Sequence, residues 1–186
     1  MSKLTDFRVA VLATDGFEES ELTEPVKALK DAGAEVTILS LKSGKIQGVR
    51  HDIDKTVKVK VDRTIGNVSA EDFDAVHLPG GTVNADSLRL VPVVQALLRA
   101  MQEAGKPIAA ICHAPWELVS AGLVPGRTLT SYHTLQDDIR NAGGTWVDRE
   151  VVADGNWVTS RQPSDLPAFI RTMITHFARS PVAARR

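Results

Sequence analysis

Lys106-Pro-Ile-Ala-Ala-Ile-Cys112-His113-Ala-Pro-Trp116-Glu-Leu-Val-Ser-Ala-Gly122 is the stretch on which the reading of this chain turns. An apolar run, Ile108 to Ile111, stops at the single cysteine, and the residues after it take up helical spacing until Gly122 ends them. The pattern predicts a strand, a sharp turn and a helix, with Cys112 at the turn. A thiol there leaves the carboxyl-end edge of a sheet, and the free N–H groups and positive dipole end of the following helix favour its thiolate. That is a nucleophile elbow carrying Cys in place of Ser. A buried structural cysteine is the competing reading, because free Cys is among the most buried residue types.

Working outward, Phe7 to Thr14 reads as a buried strand and Asp15-Gly16-Phe17-Glu18-Glu19-Ser20 as its exit loop. Leu22, Val26 and Leu29 fall at helical spacing through Asp31, Gly33 stops that helix, and Glu35 to Leu41 is the next strand. Such a β-α-β unit crosses over right-handed and makes a parallel sheet. Ser43 to Val49 reads as a turn region and Thr56 to Val61 as a half-exposed strand. Ser69-Ala-Glu-Asp72 resembles a helix-starting cap ahead of the strand Phe73 to Leu78, which Pro79-Gly80-Gly81 ends, and Leu90 to Ala104 is helical.

Beyond the elbow, Thr128 to Ser131 is a short strand beside it and Leu135 to Ala142 a helix. Val147 to Ala153 and Trp157 to Ser160 flank Asp154-Gly155-Asn156 as a hairpin. Ser164 and Asp165 are caps for a last helix through Phe177, and Ser180 to Arg186 reads as a frayed basic tail. The chain is thus expected to be one α/β domain over residues 1–186, doubly wound, with a mainly parallel sheet and a small antiparallel hairpin at its edge.

Composition narrows the partners. With 22 Lys and Arg against 23 Asp and Glu, the formal net charge of −1 supplies no field that would draw in nucleic acid or an anionic membrane. One cysteine cannot close an internal disulfide, the N-terminus lacks a signal-peptide pattern, and no apolar run approaches the ~20 residues of a membrane span. A cytoplasmic setting is expected. His51, His77, His133 and His176 show no metal-ligand spacing, and no Gly-rich phosphate loop lies between a strand and a helix, so neither metal nor cofactor is expected. His77, in an apolar strand, reads as a packed core residue, whereas His133 is a candidate to reach the pocket.

In an open parallel sheet, ligands bind outside the carboxyl ends of central strands. Three loops then matter. The first offers Asp15, Glu18 and Glu19, the third Gly80 and Gly81, and the central one Cys112 and His113. Glu18 is the candidate acid for the sulfur, since a poorly solvated carboxyl stays protonated and donates to a thiolate. Gly80 and Gly81, lacking Cβ, let main-chain N–H groups approach a substrate oxygen and, with the amide of His113, form an oxyanion hole. Solvated acids ahead of a helix and a plain glycine turn are the competing readings.

Gly16-Phe17-Glu18-Glu19-Ser20-Glu21-Leu22, Leu78-Pro79-Gly80-Gly81, Ala110-Ile111-Cys112-His113, Thr130-Ser131, Asp137-Asp138, Asn141-Ala-Gly143 and Val158-Thr-Ser-Arg161 with Pro163-Ser-Asp-Leu166 occur in an order that resembles the PfpI family, within the class I glutamine amidotransferase-like superfamily. The resemblance spans nearly the whole chain. It implies a flavodoxin-like α/β sandwich with Cys112 as nucleophile and Glu18 as its hydrogen-bonding acid. It also implies a homodimer, or a hexamer in which an acid of a neighbouring subunit completes a Cys-His-acid arrangement. Asp86 aligns with that acid, in a segment one residue longer than in some members. Ala114 stands where the family usually has glycine.

Family activities include peptidase, glyoxalase and deglycase types, with roles in stress protection. Three functions follow as expectations. The first is a cofactor-free enzyme for small reactive carbonyls, with Cys112 forming a hemithioacetal while Glu18 moves protons and His113 assists. The second is an intracellular peptidase using Cys112, His113 and a neighbour's Asp86. The third is a redox sensor in which Cys112 is oxidised.

Overall fold

The computed structural model describes residues 4–185, so Arg186 at the end of the expected tail lies outside the described residues. In chain order the strands are β1 (Arg8–Leu12), β2 (Phe17–Glu18), β3 (Glu35–Ser40), β4 (Lys45–Arg50), β5 (Asp54–Lys60), β6 (Arg63–Thr64), β7 (Ala75–Leu78), β8 (Ile108–Ile111), β9 (Thr128–Leu129), β10 (Thr145–Trp146), β11 (Val151–Asp154) and β12 (Trp157–Ser160). The helices are α1 (Glu19–Asp31), α2 (Thr82–Arg89), α3 (Pro92–Glu103), α4 (Pro115–Ser120), α5 (Gln136–Asn141) and α6 (Leu166–Ala178).

A seven-stranded sheet runs β11-β12-β8-β7-β1-β3-β6, parallel except for the antiparallel edge strand β11. Successive residues of β1 serve opposite faces. Val9 and Val11 pack with Leu22, Leu29, Phe169 and Met173, while Ala10 and Leu12 pack with Leu88, Leu98, Met101 and Leu118. The period-two alternation of a strand therefore feeds two cores, one under α1 and α6 and the other under α2 to α5. This is the doubly wound α/β sandwich expected from the sequence.

From β1 the chain steps to β3 and β6 on one side and then returns to β7 on the other. The β1–β7 junction is thus the point where winding reverses, and connections leave there in opposite directions and open a crevice at the carboxyl ends. Glu18 and Glu21 follow β1 there, and Gly80 and Gly81 follow β7. Cys112 leaves β8, the next strand along.

Several local expectations are corrected. Ser43 to Val49 contains β4, which joins β2 and β5 in a separate three-stranded sheet, because the exit loop of β1 itself extends and pairs Phe17 with Gly48. Residues 82–89 form a helix of their own. β9 pairs with β10 in a small separate sheet, while β12 takes the place beside β8, so His133 does not follow a neighbour of the elbow strand. Asp165 does not cap α6 with its side chain, because its carboxylate is held by Arg161 at 2.8 and 3.0 Å. The tail is docked rather than frayed through its first residues: Ser180 is buried and bonds Phe177 O at 2.8 Å, and Val182 and Ala183 pack on the α1–α6 core.

Glu117, on the first turn of α4, is fully buried and neither carboxyl oxygen has a hydrogen-bond partner. Burial alone pushes its carboxyl well above the ordinary glutamate range. A carboxyl with a raised folded-state pKa holds its proton longer in the folded chain, so its stabilising contribution is complete below about pH 4.5 and is lost as pH rises toward the folded value. Glu117→Gln is expected to melt at a higher temperature than the parent at pH 8, with the difference vanishing near pH 4. Equal melting temperatures across that range would show that folding does not raise the pKa of Glu117.

Candidate active site

Cys112 has φ of 63°, in the left-handed region. A non-glycine residue held there costs on the order of 1–3 kcal/mol, and the surroundings fix it. Its N–H donates to Ser160 O at 3.1 Å and its carbonyl accepts from Tyr132 N at 2.9 Å, so β12 and the segment after β9 clamp both ends of the peptide. The side chain is thereby turned out of β8 into a cavity of about 210 Å³ lined also by Glu18, Glu21, His51, Asp52, Gly81 and His113. Ala114 has φ of −56° and is buried in the α2–α5 core, so its methyl group fits where a glycine was expected.

The carboxyl against the sulfur is Glu21, and this corrects the expectation of Glu18. Glu21 is fully buried on the first turn of α1, hydrogen-bonds Cys112, and accepts from Gly80 N at 2.9 Å. Its other oxygen, Oε1, has no hydrogen-bond partner. Glu18 lies at the end of β2, where its carboxylate accepts from His51 N at 3.0 Å and faces the outer part of the same cavity. A strand ending at Glu18 and a helix starting at Glu19 turn Glu18 outward and Glu21 inward, a distinction that depends on where the helix begins. His77 packs in the core as expected, with Nε2 2.8 Å from the main-chain oxygen of Glu21, and so helps fix the first turn of α1.

Gly80 and Gly81 are both required, for different reasons. A Cβ on Gly80 would overlap Glu21 Oε2 and come within 2.6 Å of Cys112 Cβ, so glycine is what admits the carboxyl beside the thiol. Gly81 has φ of 93° and lies against the main chain of Gly16 and Phe17. The main-chain N–H groups of Gly81 and His113 hydrogen-bond the sulfur. Gly80 N–H is occupied by Glu21, so Gly81 and His113, without Gly80, supply the donors expected of an oxyanion hole.

His113 reaches back to its neighbour despite being adjacent in sequence. Its Nδ1 lies 3.2 Å from Cys112 Sγ, and its ring stacks on Tyr132 at 4.8 Å and meets Trp116 edge-on at 5.4 Å. On the far side Nε2 lies 3.3 Å from Thr82 Oγ1, whose hydroxyl donates to Asp52 Oδ2 at 2.8 Å. A hydroxyl has one proton. Spent on Asp52, it leaves Thr82 Oγ1 as an acceptor, so Nε2 carries the imidazole proton and Nδ1 presents a lone pair to the thiol. Burial lowers the His113 pKa, which keeps the ring neutral and able to accept that proton.

Asp52 was not anticipated as part of the site. It sits with His51 on the β4–β5 turn, where φ is 54° at His51 and 62° at Asp52 and Ile53 N bonds Arg50 O at 3.3 Å. Two consecutive left-handed residues make the tight turn that matches strand twist, and Asp tolerates that conformation better than most residues. The turn lays the Asp52 carboxylate over the start of α2, where Thr82 N donates to Oδ1 at 2.7 Å. Asp86, one turn further along α2, is exposed and does not line the cavity. His133 is exposed, its ring tilted at 43° against that of Tyr132 with centroids 4.4 Å apart, and it does not line the cavity. Arg161 is bound to Asp148 and Asp165, at 2.7 and 2.8 Å.

Burial, and after it the Glu21 carboxylate, push the Cys112 thiol up, while the N–H groups of Gly81 and His113 pull the other way. The expectation of a thiolate held by the helix start is thus reversed in the resting protomer. Burial pushes Glu21 up to about 8, with the charge of Glu18 next in effect. The two groups cannot both ionise cheaply in so little solvent, so near neutrality the pair keeps its protons and gives up the first as pH passes about 8.

Alkylation of Cys112 by iodoacetamide is therefore expected to accelerate with an inflection near pH 8 that Glu21→Gln removes; an unchanged profile would mean Glu21 does not share the proton. Thr82→Val is expected to slow alkylation at pH 7 about tenfold by freeing the His113 ring, and Thr82→Ser to restore it. Equal rates for the Val and Ser variants would remove Thr82 from the chain of contacts.

Comparison with known proteins gives the family. The family model described as DJ-1/PfpI family matches residues 7–176. Deglycase PH1704 of Pyrococcus horikoshii is 46% identical over 167 residues, covering 90% of this chain and 97% of the relative. The putative cysteine protease YraA of Bacillus subtilis is 43% identical, covering 88% and 94% respectively. Among solved structures, Drosophila melanogaster DJ-1beta superposes with a TM-score of 0.85 at 31% identity, covering 97% of this chain and 95% of that one. Matched over residues 7–176 by that family model and 46% identical to a relative covered to 97% of its length, this chain belongs to the DJ-1/PfpI family.

Proposed function

We propose that the protein converts small reactive carbonyl compounds through a covalent adduct on Cys112. The observation that carries this reading is the buried carboxyl of Glu21 held against the Cys112 sulfur in a cavity of about 210 Å³, a volume suited to a molecule of a few heavy atoms. Relatives named deglycases, at 44–46% identity, support the same class of chemistry.

For methylglyoxal the steps balance as follows. His113 Nδ1 takes the thiol proton, the sulfur attacks the aldehyde carbon, and the carbonyl π pair moves to oxygen. The N–H groups of Gly81 and His113 face the developing alkoxide, and Glu21 protonates it to give the hemithioacetal. The Glu21 carboxylate then takes the proton from the former aldehyde carbon while the His113 imidazolium protonates the adjacent carbonyl oxygen, forming an enediol; Glu21 returns its proton to the adjacent carbon as the hydroxyl proton on the sulfur-bearing carbon passes to His113, leaving a thioester. Water cleaves the thioester, so methylglyoxal and water become lactate with internal oxidation of one carbon and reduction of the next. No external electron acceptor is needed.

A peptidase reading has specific support in the Cys112–His113 contact and in the name of YraA. In that reading a homodimer or hexamer would bring a neighbour's exposed Asp86 to the site. An intact amide and its flanking residues need an extended groove, which a cavity of this size does not offer within one protomer.

Lactate formation from methylglyoxal, followed by proton NMR, is expected to fall at least about 10²-fold in Cys112→Ala and in Glu21→Gln. Parent-level turnover by Cys112→Ala, or peptide cleavage that Asp86→Ala abolishes in the absence of any carbonyl turnover, would replace this reading with another.

A further inference from the structure

The walls of the Cys112 cavity carry three carboxyl side chains, and the basic side chains that join them there are the imidazoles of His51 and His113. Glu18, Glu21 and Asp52 all line it, and among the described residues no Lys or Arg does. The nearest cations in sequence are turned elsewhere: Arg50 lies 3.4 Å from Glu19, and Arg161 is held by Asp148 and Asp165. Burial raises the Glu18 pKa while the hydrogen bond from His51 N–H at 3.0 Å opposes that rise, and Asp52 accepts two hydrogen bonds from Thr82. The donors that meet the sulfur are main-chain N–H groups, which bind a developing oxyanion but carry no net charge.

We propose that the acidic rim formed by Glu18 and Asp52 selects the substrate by charge, admitting neutral and cationic carbonyl compounds and excluding those that bear a carboxylate or phosphate. The selection rests on the carbonyl reading above and specifies its substrate class. A glyoxal-type dicarbonyl or a carbonyl adduct of an amine meets an attractive or indifferent rim. A 2-oxo acid of the same size brings a second negative charge within a few ångströms of two carboxylates, where at an intermediate dielectric the repulsion is large compared with thermal energy. Because the rim is partly open, that repulsion is screened by salt.

Two haloacetyl reagents of nearly equal size, iodoacetamide and iodoacetate, read the rim without requiring turnover. Both form a thioether at Cys112 and release iodide. The ratio of their rates, normalised to the same ratio for a small free thiol, cancels the intrinsic reactivity of the sulfur and leaves the effect of charge. At about pH 8, where an imidazole carries little charge, the normalised ratio is expected to favour iodoacetamide at least about tenfold at low salt. It should shrink toward unity in about 1 M salt, and fall roughly threefold or more in Glu18→Gln and in Asp52→Asn. Loss of the Thr82 contact in Asp52→Asn alters both rates together, so the ratio still isolates charge.

In the turnover arm, methylglyoxal should be consumed faster than 4,5-dioxopentanoate, an oxo-aldehyde that also bears a carboxylate, with Glu18→Gln narrowing the gap. A normalised ratio of one, a ratio untouched by both substitutions, or equal turnover of the two aldehydes overturns charge selection. Selective alkylation with neither aldehyde turned over upholds the charge filter and instead overturns the carbonyl reading.

Discussion

One buried contact organises the site: a glutamic acid pressed against a thiol where water scarcely reaches either. Glu21 is fixed by Gly80 N–H at its carboxyl and by the His77 ring at its main-chain oxygen, and Gly80 leaves the space in which the carboxyl and Cys112 meet. Two ionised groups so buried would repel strongly, so near neutrality both the carboxyl and the thiol keep their protons.

The frame is a product of the main-chain path. The left-handed Cys112 is held by hydrogen bonds from two different segments, and the left-handed His51-Asp52 turn sends a carboxylate across the crevice to α2. Both strained spots lie at the cavity, and the ordered sheets on either side hold them. Through Thr82, the Asp52 carboxylate fixes which nitrogen of His113 faces the sulfur, so a Cys-His-acid chain of contacts is complete inside one protomer, with a hydroxyl as its middle link. The small β2-β4-β5 sheet, laid beside the main one, exists at the expense of a simple exit loop after β1. Its function in the site is to carry His51 and Asp52 over the mouth of the cavity.

Much of this was legible from local pattern. The apolar run ending in Cys112, the β-α-β repeats and the Asp-Gly-Asn hairpin set the doubly wound sheet and its antiparallel edge, because strand and helix periodicities are properties of short windows. The choice between Glu18 and Glu21 was not legible. Both lie on the same loop-to-helix segment, three residues apart, and which one faces inward depends on the residue at which α1 starts, set here by pairing between Phe17 and Gly48. Asp52 gave no signal at all, since it lies 30 residues before Thr82 in a polar, exposed hairpin.

By itself, then, the sequence determined the class of fold and the place of Cys112 at the turn that leaves the carboxyl end of a central strand, because each is written in contiguous residues. Only the tertiary structure decided which acid shares a proton with the sulfur, which amides face it, which histidine nitrogen is bare and how charge is arranged around the opening. Those depend on distances between segments far apart in the chain and on the exclusion of water from the space between them, and neither quantity exists until the chain has folded.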